Sequence, residues 1–258
     1  MDHDEVLAAY DRQLRREACP DGPGARVERS ADLVRQVAAE HGWNGVLWSG
    51  LDPATADARI EEQIRHYASI GRGFEWKLYS HDGPPDLAAR LLAAGFRPEP
   101  AETLVVAEVA EVSAEIVLPE GVRLVRVTDR DGIDLLADVH EQVFGTGRNR
   151  LRERLTAQLA EQPQTLEPVL AMAGDQPVSG ARLDLPPGTD FAGLWGGGTL
   201  PEWRGRGVYR ALIAYRARIA AARGYRYLHV DASDESRPIL RRLGFTALAT
   251  TTPYLLGE

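Results

Sequence analysis

The segment from Trp195 to Leu212 constrains this chain most, because a strand-like run ends there in a turn rich in glycine and arginine and passes directly into a helix. The turn carries Arg204 to Gly207, with arginine and glycine alternating. A helix start presents unpaired backbone N–H groups and a partial positive charge, so it attracts anions. Glycine lets the backbone approach a phosphate closely, and arginine adds charge-assisted hydrogen bonds. The segment therefore predicts a pyrophosphate cradle.

Two common nucleotide-binding loops do not fit this turn. A Walker loop ends in lysine followed by serine or threonine, whereas this turn continues into Val208 and Tyr209, and the only lysine in the chain is Lys77. A dinucleotide fingerprint needs a third glycine where Arg210 stands. Neither a Walker ATP site nor a dinucleotide site is predicted.

The turn resembles the acyl-CoA loop of the GCN5-related N-acetyltransferase (GNAT) family, which reads Arg or Gln, two residues, Gly, one residue, then Gly or Ala. Arg204 and Gly207 match this pattern, and Tyr209 departs from its last position. The resemblance implies acetyl-CoA as co-substrate and no metal. It assigns CoA binding to Gly197, Gly198, Thr199, Arg204, Gly205, Arg206, Gly207, Val208 and Tyr209.

The rest of the C-terminal half follows the element order of that family. The pattern predicts a strand at 121–127, helices at 131–144 and 149–162, a hairpin of 168–173 with 177–185, a strand at 191–200, a helix at 208–223 and a strand at 225–231. A short helix ending in Leu243, Gly244 and Phe245 follows, and a last hairpin is predicted at 246–256. The resemblance covers 121–258.

The N-terminal half contains a fainter copy of this pattern. A predicted strand at 73–80, a helix at 86–96 and a strand at 104–106 parallel the strand, helix and closing strand after the cradle, which suggests duplication. Where the copy should carry its cradle, at 48–59, it has two aspartates, a proline and no paired glycines, so anion binding is not expected there. The alternative is that short helices ending in Gly-Phe recur by chance.

The predicted fold class is α/β, an α+β mixed sheet, in two tandem GNAT-like units, each a mixed, mostly antiparallel sheet flanked by helices. We expect a degenerate unit without the CoA loop at 1–112 and an acyl-CoA-binding acetyltransferase unit at 121–258. Ile60, Ile64 and Tyr67 recur at helical spacing and are expected to form core in the first unit.

Composition limits the partners. A chain of 258 residues with 44% hydrophobic residues suits one large or two small domains. The formal charge of -8 disfavours nonspecific nucleic-acid binding. No apolar run approaches the length of a membrane span, and the first residues lack the features of a signal peptide, so a cytoplasmic location is expected. The expected partner is a small-molecule or peptide amine, with neither nucleic acid nor membrane, and the oligomeric state is left open.

The resemblance implies direct acyl transfer, in which an amine attacks the thioester of acetyl-CoA while both are bound. Relatives carry a tyrosine where this chain has Leu240, or a carboxylate where it has Gly193. Tyr254 is the predicted proton donor, and Asp231 is the predicted contributor to amine deprotonation. Other substitutes to consider are Tyr209, His229 and Ser233.

Three function classes remain open. An N-acetyltransferase that acts on a primary amine in a ternary complex is favoured, because the second unit keeps the whole cradle. A non-catalytic acyl-CoA-binding regulatory protein is the alternative, supported by the missing acid and base. A structural or interaction protein is the third class. The glycines at 196–198 have two interpretations. They form a bulge or a close packing contact, or they leave space for substrate.

Overall fold

The computed structural model describes residues 1–38, 40–145 and 147–257. Its first half runs through α1 (His3–Tyr10), β1 (Arg26–Arg29), β2 (Leu33–Val37), β3 (Gly45–Ser49), α2 (Ala56–Ser69), β4 (Phe74–Tyr79), α3 (Leu87–Ala93), β5 (Arg97–Pro98) and β6 (Glu102–Glu108). A π-helical segment, Asp11–Arg16, extends α1. The elements predicted at 73–80, 86–96 and 104–106 are confirmed by β4, α3 and β6.

The second half runs through β7 (Val122–Arg126), α4 (Arg130–Phe144), α5 (Arg148–Glu161), β8 (Leu166–Ala173), β9 (Gln176–Asp184), β10 (Phe191–Thr199), α6 (Val208–Ala222), β11 (Tyr227–Ala232), α7 (Arg237–Arg242) and β12 (Thr246–Leu256). Every element predicted between 121 and 245 is present close to its expected bounds. Gly244 ends the α7 region with φ +93°, in the left-handed conformation that glycine favours.

The predicted last hairpin is wrong, because 246–256 forms the single strand β12. No residue of this segment adopts the positive φ that a tight hairpin turn requires. Six consecutive residues, from Thr251 to Leu256, instead pair antiparallel with β4. Pro253 lies within the paired run and its carbonyl accepts a hydrogen bond from Glu99 N.

The described chain packs as two compact units. The first comprises Met1–Val105, Asp231–Leu240 and Ala247–Glu258, and the second comprises Val106–Val230 and Arg241–Thr246. The expected boundary between 112 and 121 lies near the first of these divisions. The difference from the expected ranges is at the C-terminal end, where most of α7 and β12 pack with the first unit.

The second unit is built on strands in the order β11-β10-β9-β8-β7. β10 and β11 run parallel with α6 as their crossover, and the other neighbours run antiparallel. The predicted turn between β8 and β9 is confirmed by Gly174, whose φ is +59°. Ile133 and Leu136 of α4 pack against Leu170 of β8 in a buried core.

The first unit repeats this plan with strands in the order β1-β2-β3-β4-β12-β6. β3 and β4 run parallel with α2 between them in the chain, and α3 follows β4 as α7 follows β11. Ile60 and Tyr67 are buried in the core with Ile64 packed against it, as predicted. The mixed, mostly antiparallel sheet with flanking helices, present in both units, confirms the predicted fold class.

Candidate functional site

The parallel strands β10 and β11 separate after a short pairing. Their register covers only Phe191–Gly193 with Tyr227–His229, whereas β10 continues to Thr199. On the other edge of β10, a bulge between Trp195 and Gly198 interrupts the pairing with β9. This separation, named the fork from here on, exposes a strand edge to which an extended ligand can bind.

The glycines of β10 lie where side chains do not fit. Gly196 has φ +58°. A Cβ on Gly197 would lie 2.9 Å from Cε2 of Tyr209, and one on Gly198 would lie 2.9 Å from Cγ1 of Val143. The interpretation as a bulge with close packing is therefore confirmed. Contact of Gly197 and Gly198 with a pantetheine arm stays a prediction.

Thr199 turns its side chain toward β9. Its hydroxyl lies 2.8 Å from that of Ser179, which also donates to the carbonyl of Gly198 at 2.6 Å. Both side chains are buried. Any contact between Thr199 and CoA is therefore left to its backbone.

The predicted cradle lies directly before α6. A 3₁₀ turn, Pro201–Trp203, leads out of β10, and Gly205 (φ +74°) and Gly207 (φ +87°) turn the chain into the helix. Within the described part of the chain, no acceptor receives a hydrogen bond from the backbone N–H groups of 205–209. A Cβ on Gly205 would meet no heavy atom within 4 Å. Unpaired N–H groups at an open helix start are the arrangement that binds phosphate.

The two arginines of the cradle are held differently. Nε of Arg204 donates to the carbonyl of Thr199 at 3.1 Å, so this side chain ties the loop to the end of β10. The guanidinium of Arg206 lies over the indole ring of Trp203, 4.9 Å from its centre. The exposed Arg206 side chain is therefore the better placed of the two to add hydrogen bonds to a phosphate.

Tyr209 and a buried arginine lie beneath β10. Burial raises the pKa of the Tyr209 phenol, and Arg216 opposes this shift. Arg216 is buried and donates to the carbonyls of Leu212 and Arg182 at 3.1 and 3.0 Å. Burial also lowers the pKa of Arg216 to about 10. The sequence analysis missed Arg216, although an arginine on the apolar face of the predicted helix is the signal that marks it.

Comparison with known families identifies this domain. Residues 133–245, which include the fork, the cradle and α7, match the model of the Acetyltransferase (GNAT) family. This part of the chain belongs to the GNAT family. The resemblance drawn from Arg204 and Gly207 is thereby confirmed, and the members of the family are acetyltransferases.

Solved structures of the same fold cover the chain almost completely. A GCN5-related N-acetyltransferase from Kribbella flavida is 20% identical with a TM-score of 0.69, over 99% of this chain and 94% of that chain. A tandem GNAT protein from the clavulanic acid biosynthesis pathway is 13% identical with a TM-score of 0.64, over 99% of this chain and 95% of that chain. At these identities the likeness shows the fold alone. No curated protein matches the chain.

The two residues predicted for proton transfer are not in the unit that contains the GNAT cradle, because both Asp231 and Tyr254 belong to the first unit. The Asp231 carboxylate is buried and ion-paired with Lys77, and its Oδ1 has no hydrogen-bond partner among the described residues. Burial, reinforced by the charge of Asp231, raises the pKa of Glu102 to about 7. The sequence analysis missed both Lys77 and Glu102, since no motif connects them to Asp231.

Tyr254 is part of the apolar core of the first unit. It lies opposite Trp76 in the pairing of β12 with β4, and it shares a cluster with Phe74 and Phe96. The side chain is 7% exposed. This position suits a packing role, and its assignment as proton donor stays a prediction.

The two positions at which the resemblance implies an acid or a base carry neither in this chain. Leu240 of α7 is fully buried. A Cβ on Gly193 would lie 2.5 Å from Nε1 of Trp195 and 3.1 Å from Nε2 of His229. Two ring nitrogens, Nε1 of Trp195 and Nε2 of His229, therefore lie next to the position where a side chain at residue 193 would begin.

Residues 1–38, 40–145 and 147–257 contain no group of three or more histidine, cysteine, aspartate or glutamate side chains that could hold a metal ion. Their helices include none that is both long and apolar enough for a membrane span.

Proposed function

We propose that this protein is an N-acetyltransferase, which transfers an acetyl or other acyl group from acetyl-CoA to a primary amine of a small molecule or peptide. The observation that carries the proposal is the set of unpaired backbone N–H groups at 205–209, at the start of α6 in a GNAT domain. These donors, with the positive end of the helix, suit the pyrophosphate of CoA. The open edge of β10 beyond Gly193 suits the pantetheine arm.

The chemistry proposed is direct attack in a ternary complex. A neutral amine forms a bond with the thioester carbonyl carbon, the carbon–sulfur bond breaks, and the departing thiolate takes up a proton. Holding both reactants in line provides much of the acceleration. A backbone N–H of β10 near the bulge at Trp195 and Gly198 can stabilise the negative charge on the carbonyl oxygen.

From the sequence pattern alone, Tyr254 is proposed as the proton donor and Asp231 as the proton acceptor. The test for Tyr254 is a Tyr254→Phe variant assayed at saturating acetyl-CoA. An undiminished rate would remove Tyr254 from the mechanism. For Asp231, the carboxylate is already engaged in its ion pair with Lys77, so its contribution is proposed to pass through water.

Acyl-CoA binding without turnover is the second candidate function. Its support is the apolar Leu240 and the bare Gly193 at the positions where relatives carry an acid or base. A protein of this kind would bind acetyl-CoA and release no thiol in the presence of amines.

Incubation with acetyl-CoA and a mixed panel of primary amines, followed by detection of free thiol, tests the proposal. Calorimetric titration with CoA is run in parallel. Thiol release that requires an amine supports acyl transfer, binding without release supports the second candidate, and absence of binding contradicts both. The exposed single cysteine, Cys19, is changed to serine so that the thiol assay reports only CoA. The cytoplasm is the compartment proposed for this activity.

A further inference from the structure

His229 lies at the point where β10 and β11 separate. It is paired in register with Gly193, on the last rung of the parallel ladder. Its side chain is only 5% exposed, and its Nε2 lies 3.1 Å from the position that a Cβ of Gly193 would occupy. An imidazole is therefore fixed beside the backbone of β10 at the base of the fork.

Trp195 completes this arrangement from the same strand. Its Nε1 lies 2.5 Å from the same missing Cβ, and its ring meets that of His229 edge to face at 6.2 Å between centres. Any side chain at Gly193 would displace one of the two rings. The absence of a side chain at Gly193 is thus what brings an indole N–H and an imidazole together.

These rings lie on the face of the sheet that α4 covers. Gly193 and Trp195 pair with Asp184 and Arg182 of β9, and Gly180 of the same β9 face is covered by Leu136 of α4. The charged and titratable side chains on this face, from β9, α5 and α4, are Arg182, Asp184, Arg154 and His140. Tyr209 and Arg216 lie on the opposite face, under Gly197.

We infer that His229 is a catalytic residue, the group that removes the proton from the acceptor amine. Trp195 positions its imidazole at the fork, and the absence of a side chain at Gly193 leaves room for both rings. The inference rests on the proposed acetyl transfer. The imidazole nitrogen takes a proton from the ammonium of the acceptor, the neutral amine forms its bond to the carbonyl carbon, and the carbon–sulfur bond breaks. The imidazolium then returns its proton to the thiolate, and the nitrogen of the new amide gives up one further proton to water, so that one proton is released per transfer and atoms and charges balance.

Two observations favour His229 in place of Asp231 and Tyr254, the residues that the sequence pattern alone proposes for these proton transfers. Imidazole exchanges protons near neutral pH, whereas the Asp231 carboxylate is buried and already paired with the ammonium of Lys77. His229 also belongs to the unit that contains the cradle, and Asp231 and Tyr254 do not.

The experiment uses the full chain labelled with ¹⁵N, in which the imidazoles of the six histidines are followed by NMR. The His229 signal, identified by its loss in His229→Gln, is titrated from about pH 5.5 to about pH 8.5, with and without CoA. We expect CoA to move the His229 titration midpoint by at least about half a pH unit and to leave that of His66, in the first unit, unchanged. The measurement on the unaltered chain does not depend on how well the variant folds.

The second readout is the pH profile of amine-dependent thiol release. We expect His229→Gln to bind CoA normally, to lose about 100-fold or more in kcat and to lose the rising limb of the profile near neutral pH, with His66→Gln as the matched control. If CoA binds and the His229 titration does not move, this inference is overturned while the proposed function stands. If CoA does not bind at all, the proposed function fails and the inference fails with it.

Discussion

Lys77 and Asp231 form a buried ion pair in the first unit, with side chains 17% and 0% exposed. Burial alone would lower the pKa of Lys77, but the Asp231 carboxylate outweighs it and raises the pKa, so the side chain stays an ammonium. Near the pair, the hydroxyls of Tyr10 and Tyr79 lie 3.0 Å apart. The only lysine of the chain is therefore used to neutralise a buried carboxylate.

Removing one member of this pair should destabilise the protein strongly. Lys77→Met or Asp231→Asn leaves one buried group without its partner, and we expect each to lower the free energy of unfolding by about 3–5 kcal/mol. The double variant should lose less than the sum of the two. Urea unfolding followed by circular dichroism measures these changes. Glu61→Gln, in the exposed pair with Arg65, is the control and should cost less than about 0.5 kcal/mol. Strictly additive costs would mean that the two charges do not interact.

Glu102 should make stability depend on pH. Burial, with Asp231 next in effect, raises its pKa to about 7 in the folded protein, above the ordinary value of 4.5. The folded state therefore keeps this proton more strongly than the unfolded state does. The resulting stabilisation is complete below about pH 4.5 and is lost as the pH rises to about 7.

Glu102→Gln removes this titration and keeps the shape of the side chain. We expect the variant to be more stable than the unaltered protein at pH 8 by about 1–2 kcal/mol, an amount reduced for partial exposure, and to differ little at pH 5. Urea unfolding at both pH values provides the measurement. An equal difference at the two pH values would contradict the assignment.

A negative charge in the cradle should abolish CoA binding. Gly207 adopts φ +87° at the start of α6, so Gly207→Glu adds both strain and a carboxylate beside the expected phosphates. We expect affinity to fall by at least about 100-fold in calorimetry, as two like charges near a protein surface repel by several kcal/mol. Gly207→Gln carries the same bulk and strain without the charge, and it should bind more tightly than the glutamate variant. Unchanged affinity in Gly207→Glu would rule out the cradle.

The ring of Tyr209 should be dispensable for CoA binding. Its phenyl ring lies against Gly197, while its backbone N–H belongs to the unpaired set at the helix start. Tyr209→Gly should therefore still bind CoA, and it should unfold more easily because glycine costs about 1 kcal/mol within a helix. Complete loss of binding in calorimetry would show that the ring itself contacts the ligand.

One CoA should bind per chain. In the loop before α2, Asp52 already accepts hydrogen bonds from Ala54 N at 2.7 Å and, through its carbonyl, from Thr55 N at 3.0 Å. Its negative charge also repels phosphate. Calorimetry should give a stoichiometry of about one. A value close to two would show that the first unit binds CoA as well.

The parts of this protein that sequence reasoning could reach are those in which neighbours in the chain are neighbours in space. The turn from Arg204 to Gly207 and the helix after it could be predicted because the cradle is one continuous segment. The contact of Trp195 with His229 could not, since it depends on two strands and on the missing side chain of Gly193. The pair of Lys77 with Asp231 joins residues 154 positions apart, and no local pattern indicates it.

Strand β12 lies between β4 and β6 in the sheet of the first unit, although all of it except Thr246 comes after the second unit in the chain. On the ribosome, β4 and β6 emerge long before the strand that joins them. When the N-terminal half of the chain has been synthesised, the sheet of the first unit therefore still lacks β12. The sheet stays incomplete until translation reaches that strand. The half of the protein that is made first therefore depends on the last strand of the chain to complete its sheet.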